Sequence, residues 1–128
     1  MATIHQARNS VVALLYAYDL GSNDINSLKD EYLDEKKIRH KQKIFADQLF
    51  DGVIKNLEYV DKTLIEHLNG RTLDELGKIE KAVLRVAVYE MKFTSTDKAI
   101  LINEALELVK DFGIEEAIKF INGVLDSL

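Results

Sequence analysis

Few residues in this 128-residue chain could do covalent or metal chemistry. Its three histidines, His5, His40 and His67, form no pair at metal-ligand spacing. None follows a Glu by three positions, which removes the Glu-x-x-His pattern of helical di-iron sites. The chain has no Cys, so thiolate chemistry, Cys-type zinc sites and a disulfide framework are excluded. Six Gly are scattered singly, with no G-x-G-x-x-G or Walker loop to cradle phosphates. Acids such as Glu104 and Glu107 sit at helical spacing in a chain that is 30% charged, which reads as a solvated face. No cofactor, no metal and no catalytic residue is expected, and by elimination the chain is a binding or scaffolding module.

Binding chemistry is concentrated in charges set in unusual surroundings. Five of the eight residues from Lys36 to Lys43 are Lys or Arg, in a chain whose net charge is −5. This run, with His40 inside it, is either a solvated helix start or a local basic patch, since the field at a surface matters more than the total charge. Arg8 lies at the border of an apolar face near Ile4 and Leu15, where it could pair with an acid or reach a phosphate. Glu80 falls beside Leu84, Ala87 and Met91, and Glu90 beside Ile79, Val83 and Val86. An unpaired carboxylate in such a place costs several kcal/mol, roughly. Each therefore needs a cation or hydroxyl from a neighbouring helix or, for Glu80, the positive end of its own helix or a different chain.

Those residues must be positioned by helices. The chain lacks Pro, is 47% hydrophobic, and repeats apolar residues at three and four, which predicts an all-helical fold. The stretch Leu76 to Phe93 is apolar almost all round and belongs at the centre, with Lys81, Arg85 and Lys92 as a narrow basic stripe facing water. Thr3 caps a first helix running to about Leu20, with Gly21 as its stop. Its apolar side carries Ile4, Ala7, Val11, Leu14, Leu15 and Tyr18, and its other side His5, Asn9 and Tyr16. A second helix starts at Asn23 or Asp24 and ends near Asp34. Gln42 to Asn69 is helical, with Ile44 and Ile65 in its apolar pattern and a bend or break near Asn56 to Tyr59. Thr72 to Glu75 form a T-x-x-E capping box ahead of the central helix. Lys98 to Phe112, terminated by Gly113, and Ile114 to Leu128 complete the set. Gly123 lies inside the last helix, where a close approach by another helix would explain it. The expectation is about seven helices in one compact bundle of two packed sub-bundles, residues 1–128 forming a single domain. It has no signal peptide or membrane span, which suggests a cytoplasmic protein.

Three blocks in order, LGKIEKAVLRVAVYEM, INEALELVKDFG and KFINGVLD, resemble the NusB family of transcription antitermination factors. The similarity runs from about Phe45 to Asp126, and Ala7-Arg8 and Leu14 to Tyr16 also fit the family's N-terminal pattern. It implies two packed helical bundles that pair with the small-subunit ribosomal protein also called NusE. The pair would bind the boxA element of ribosomal RNA leader transcripts and join NusA, NusG and RNA polymerase in suppressing termination. The resemblance puts Glu80 and Tyr18 at the surface for the ribosomal partner, and Leu84, Ala87 and Met91 are the apolar groups a partner would cover there. It puts Arg8, Tyr16, Lys119 and Phe120 against RNA.

Many members of the family begin with a cluster of arginines, whereas this chain begins MATIHQAR. Fewer cations give fewer phosphate contacts. Either the ribosomal partner supplies the missing charge, or Lys36, Lys37, Arg39 and Lys41 replace it. Alternative readings are a helical protein-protein adaptor without RNA binding, or a detached relative of the RNA-binding domain of ribosomal RNA methyltransferases. Some family members also form homodimers.

Overall fold

The computed structural model describes residues 2–22 and 24–128, and these hold seven α-helices and two short 3-10 turns with no strand. Helix α1 spans Ile4–Asp19. Thr3 starts it as expected, its Oγ1 accepting from the Gln6 N–H at 3.0 Å while Gln6 Oε1 accepts from the Thr3 N–H at 2.8 Å. Helix α2, Ile25–Glu35, begins after Asp24, while Asn23 lies outside the described residues. Helix α3 runs Lys41–Lys55 and α4 Leu57–Ile65. They break at Asn56, inside the anticipated window, where the Asn56 amide donates to the Gly52 carbonyl at 2.9 Å and competes with the helical ladder.

Thr72 and Glu75 form the expected box, the Thr72 N–H donating to Glu75 Oε1 at 3.1 Å. It closes a 3-10 turn over Leu73–Glu75, and the central helix α5, Lys78–Phe93, starts after Gly77. Helix α6 spans Lys98–Asp111 and ends at Gly113, whose φ of 72° suits a residue without a Cβ. Residues Ile114 to Leu128 are not one helix, because a 3-10 turn at Glu115–Ala117 precedes α7, Ile118–Asp126.

α1 packs on α2 and α3, α5 packs on α4, α6 and α7, and α1 lies against α5 to join the two sub-bundles. One apolar core runs through both, from Val11 and Leu15 through Phe50, Val83 and Leu84 to Leu108 and Ile121. Helix α2 is anchored by the buried Lys29, whose Nζ lies 3.2 Å from Asp51 and 5.7 Å from the Phe50 ring centroid. Two residues of the apolar pattern point outward instead, for Ile44 and Ile65 are both more than half exposed.

Of the stripe on α5 only Lys92 faces water. Lys81 and Arg85 are 4% and 6% exposed. Arg85 makes two parallel bonds of 2.9 Å to Asp61 on α4 and reaches Asp19 at 3.4 Å, while Lys81 Nζ lies 2.9 Å from Asp19. Helical periodicity marks the stripe as polar but does not say whether water or acids will solvate it.

The glycine that receives a neighbour is Gly52 rather than Gly123. A Cβ at Gly52 would overlap the Tyr89 phenol, which is stacked on Phe93 at 4.9 Å, whereas nothing lies within 4 Å of a Cβ at Gly123. Gly123→Ala should therefore stabilise the fold by about 0.5–1 kcal/mol through helix propensity alone. Gly52→Ala should lose that gain and destabilise, because Tyr89 must leave its stack. Urea melts of the two variants against the parent check the contrast.

Candidate partner and nucleic-acid interfaces

The residues expected to bind divide into those the fold has already consumed and those it leaves facing solvent. Arg8 belongs to the first group. It is 6% exposed, its Nε and Nη2 donate to the two oxygens of Glu90 at 2.8 and 2.9 Å, and Nη1 donates to Glu104 at 3.0 Å. Burial alone would lower the guanidinium pKa, but the bonds and charge of Glu90, then Glu104, raise it above the usual value. The other side of the group faces the Phe45 ring at 5.2 Å. Of the two alternatives open to Arg8, the acid pair is the one formed, and three of its five N–H donors go to Glu90 and Glu104. The same pair supplies the partner that Glu90 required.

Leu84 and Ala87 are also consumed. Leu84 is fully buried, and Ala87 lines a small void with Leu101, Ala105 and Leu108 of α6. They are core residues and are not offered to a second chain, while Met91 remains half-buried. Glu80 sits half-exposed in the first turn of α5 with no ion pair among the described residues. Its carboxylate folds back over Gly77, where a Cβ would come 3.1 Å from Oε1, at the positive end of the helix.

Tyr18 is half-buried near the C-terminal end of α1. Asp19 pins that end beside the first turn of α5, with Lys78 Nζ at 3.1 Å and Lys81 Nζ at 2.9 Å. The turn carrying Glu80 and the helix end carrying Tyr18 are thus held together by Lys81 with Asp19 and Lys78, the last two of which sequence reading did not single out. Leu20, next after Asp19, is 59% exposed, and Ile65, one turn beyond Asp61 on α4, is 53% exposed. Leu20 could have been noticed, because it falls out of phase with the Val11, Leu14 and Leu15 stripe. Ile65 is in phase and gives no such signal.

The basic run forms the turn between α2 and α3. Ile38 plugs it into the core, and Lys37 and His40 take φ of 60° and 57°. With the apolar residue pointing inward, Lys36, Lys37, Arg39 and Lys41 are all exposed. Lys36 Nζ sits 5.5 Å from the Tyr32 centroid, Arg39 is 3.7 Å from Asp34, and Lys43 is held by Asp30 and Asp47 at 3.2 and 2.9 Å. Lys37 and Lys41 have no ion pair among the described residues. Lys37, Arg39, His40, Lys41 and Gln42 share a shallow groove with Ala2, which brings the run against the residues leading into α1. Tyr16 is half-buried on α1.

Lys119 and Phe120 line a separate recess with His67, Asn69 and Gly123. Lys119 is exposed, and the half-buried Phe120 ring is covered by the Arg71 guanidinium at 4.7 Å. Arg71 is thus a further cation beside Phe120, unreadable in advance because it lies 49 positions away in sequence.

A single helical body with buried ion pairs at its centre, a basic turn beside its first helix and an apolar, partly charged end beside the start of α5 can bind, and no catalytic constellation occurs among the described residues. A model of the NusB family matches residues 5–128. The chain belongs to the NusB family. It is 54% identical over its whole length, and over 98% of the relative, to "Transcription antitermination protein NusB" of Aliarcobacter butzleri. The protein of the same name from Sulfurimonas denitrificans is 53% identical, covering all of this chain and 97% of the relative. Among solved structures, T. maritima NusB matches with a TM-score of 0.89 and 30% identity, over 98% of this chain and 89% of the other. A second, described as antitermination factors NusB and NusE in complex with dsRNA, matches with a TM-score of 0.86 and 30% identity, over 96% and 92%. NusB-family membership makes the chain a transcription antitermination factor and not an enzyme. No described helix is long and apolar enough to cross a membrane.

Asp19 offers a pH test of how the α1 end is held. Burial raises its pKa, but Lys81 and then Lys78 more than offset this and bring it from 3.8 to about 2. Its stabilisation is complete above the unfolded value and is lost as pH falls through about 2. Asp19→Asn should cost about 1–2 kcal/mol at pH 7, with the gap to the parent shrinking below pH ~4. Denaturant melts at both pH values check this, and an equal gap at both would contradict it.

Proposed function

We propose that this chain pairs with the ribosomal protein NusE and that the pair binds boxA-type ribosomal RNA leader transcripts. There it joins NusA, NusG and RNA polymerase to suppress termination in the cytoplasm, with residues 1–128 acting as a single domain. The observation that supports this reading most directly is the match of nearly the whole chain to a NusB solved with NusE and RNA. The end of the molecule bearing Tyr18, Leu20, Lys78 and Glu80 is suited to the protein partner. It mixes exposed apolar groups with a carboxylate that no cation among the described residues pairs with, and a basic ligand can satisfy that charge while covering the apolar groups.

For RNA the uncommitted cations matter, because affinity from phosphates follows the number of Lys and Arg engaged. Arg8 is spent on Glu90, so the reading assigns phosphate contact to Lys36, Lys37, Arg39 and Lys41, with Lys119 and Phe120 as a second contact and Tyr16 between. Phe120 can stack a base if Arg71 swings aside or takes part.

Glu80→Lys should weaken association with NusE by at least ~2 kcal/mol, adding repulsion toward a basic partner, while the melting curve stays that of the parent. Isothermal titration read beside circular dichroism tests it, and equal affinity for both proteins would overturn the assignment. Changing Lys36, Lys37, Arg39 and Lys41 together to Gln should lower the salt slope of boxA binding by the NusE complex by several units, on the order of one for each phosphate no longer neutralised. Filter binding across a salt series measures this. An unchanged slope would move the RNA site to Lys119, Arg71 and the partner.

A further inference from the structure

His5 has a carboxylate on each ring nitrogen. Nδ1 lies 2.5 Å from Glu104 Oε2 and Nε2 lies 2.6 Å from Asp111 Oδ2, both acids belonging to α6. A neutral imidazole has one donor and one acceptor, so it can satisfy only one of these acids and turns a lone pair toward the other. The imidazolium donates to both. Because the two nitrogens face opposite ways, the three side chains do not converge on a point where a cation could sit, and no metal-holding group occurs among the described residues.

The surroundings also favour the charged ring. Glu104 is shared with Arg8, which is itself committed to Glu90 of α5, and Asp111 accepts only a long bond of 3.4 Å from the neutral Asn9 amide besides His5. The cluster of Arg8, Glu90, Glu104 and Asp111 thus carries one cation against three acids until His5 adds a second. Lys36, from the turn between α2 and α3, lines the same recess as His5 and Asp111 and is the remaining charge that faces it. Burial lowers the pKa of His5, but the hydrogen bonds of Asp111 and Glu104 and their charges prevail and hold it above 6.5.

We propose that His5 is a proton-operated staple that ties the first turn of α1 to α6 through Glu104 and Asp111, and releases one of the two when it gives its proton to solvent. The released edge bears an extra negative charge beside the basic turn at Lys36, so both the docking of α1 and the local field follow pH through the titration of this histidine. The stabilisation is fully present below the unfolded histidine pKa and is lost as pH rises through the folded one.

The experiment is an imidazole NMR titration of the full chain, with His5 distinguished from His40 and His67 by its absence from His5→Gln. The expected result is a His5 ring carrying protons on both nitrogens at pH 6 and titrating above the ordinary value of ~6.5. Asp111→Asn should shift that titration downward, which also identifies the signal if His5→Gln folds poorly. Melting midpoints of parent and His5→Gln from pH 6 to 9 should differ most at the acidic end and converge as pH rises. A His5 that is a single tautomer at pH 6, or a midpoint difference constant with pH, would overturn the proposal.

Discussion

The bidentate pair between Arg8 and Glu90 is the contact on which the arrangement of the two sub-bundles turns. It joins α1 to α5 across 82 positions of sequence, with both partners almost completely removed from water. An unpaired charge in either place costs several kcal/mol, on the order of a large part of a domain's stability. A helix that is apolar around most of its circumference, as α5 is, buries similar area at several rotations about its axis. Its ionic groups are satisfied at only one. Glu90 meets Arg8 on one side, and Lys81 and Arg85 meet Asp19 and Asp61 on another, so charge sets the rotation that hydrophobic burial leaves loosely defined.

That arrangement decides which surfaces remain for partners. With its middle turns enclosed by α1, α4, α6 and α7, α5 offers other molecules chiefly its two ends. The N-terminal end carries Glu80, which has no ionic partner among the described residues, and is held beside Tyr18 and Leu20 through Asp19. At the C-terminal end Phe93 stacks on Tyr89 and meets the edge of Tyr59 at 5.6 Å, an aromatic cluster whose Phe93 and Tyr59 rings stay nearly half exposed. The basic turn is exposed for a related reason, since Ile38 enters the core and forces the flanking lysines outward.

Most of the fold was legible in the sequence because helices announce themselves locally. The Thr3 cap, the break at Asn56, the Thr72 to Glu75 box and the Gly113 stop each depend on residues within a few positions of one another. What escaped depends on contacts distant in sequence. Periodicity placed Lys81 and Arg85 on one stripe but could not supply Asp19 and Asp61, so a buried network read as a wet one. It likewise put Leu84 and Ala87 on a face with Glu80 without revealing that the chain's own helices cover that face. Gly123 carried a packing expectation that belonged to Gly52, because a close approach is a property of the neighbour, here Tyr89. The resemblance in LGKIEKAVLRVAVYEM, INEALELVKDFG and KFINGVLD carried the family, which no single site residue could have done.

Central to this picture is that partners are met at the α1 end and the start of α5, and at the basic turn, and not along the filled middle of α5. Backbone amide NMR of the labelled chain, recorded alone, with NusE, and with NusE and boxA RNA, tests this most directly. The predicted result is that NusE shifts the signals of Tyr18, Leu20, Lys78 and Glu80, and that RNA then shifts those of Lys36 to Lys41. Shifts gathered instead at Ile44, Tyr59, Tyr89 and Phe93, with the Glu80 turn unmoved, would contradict it.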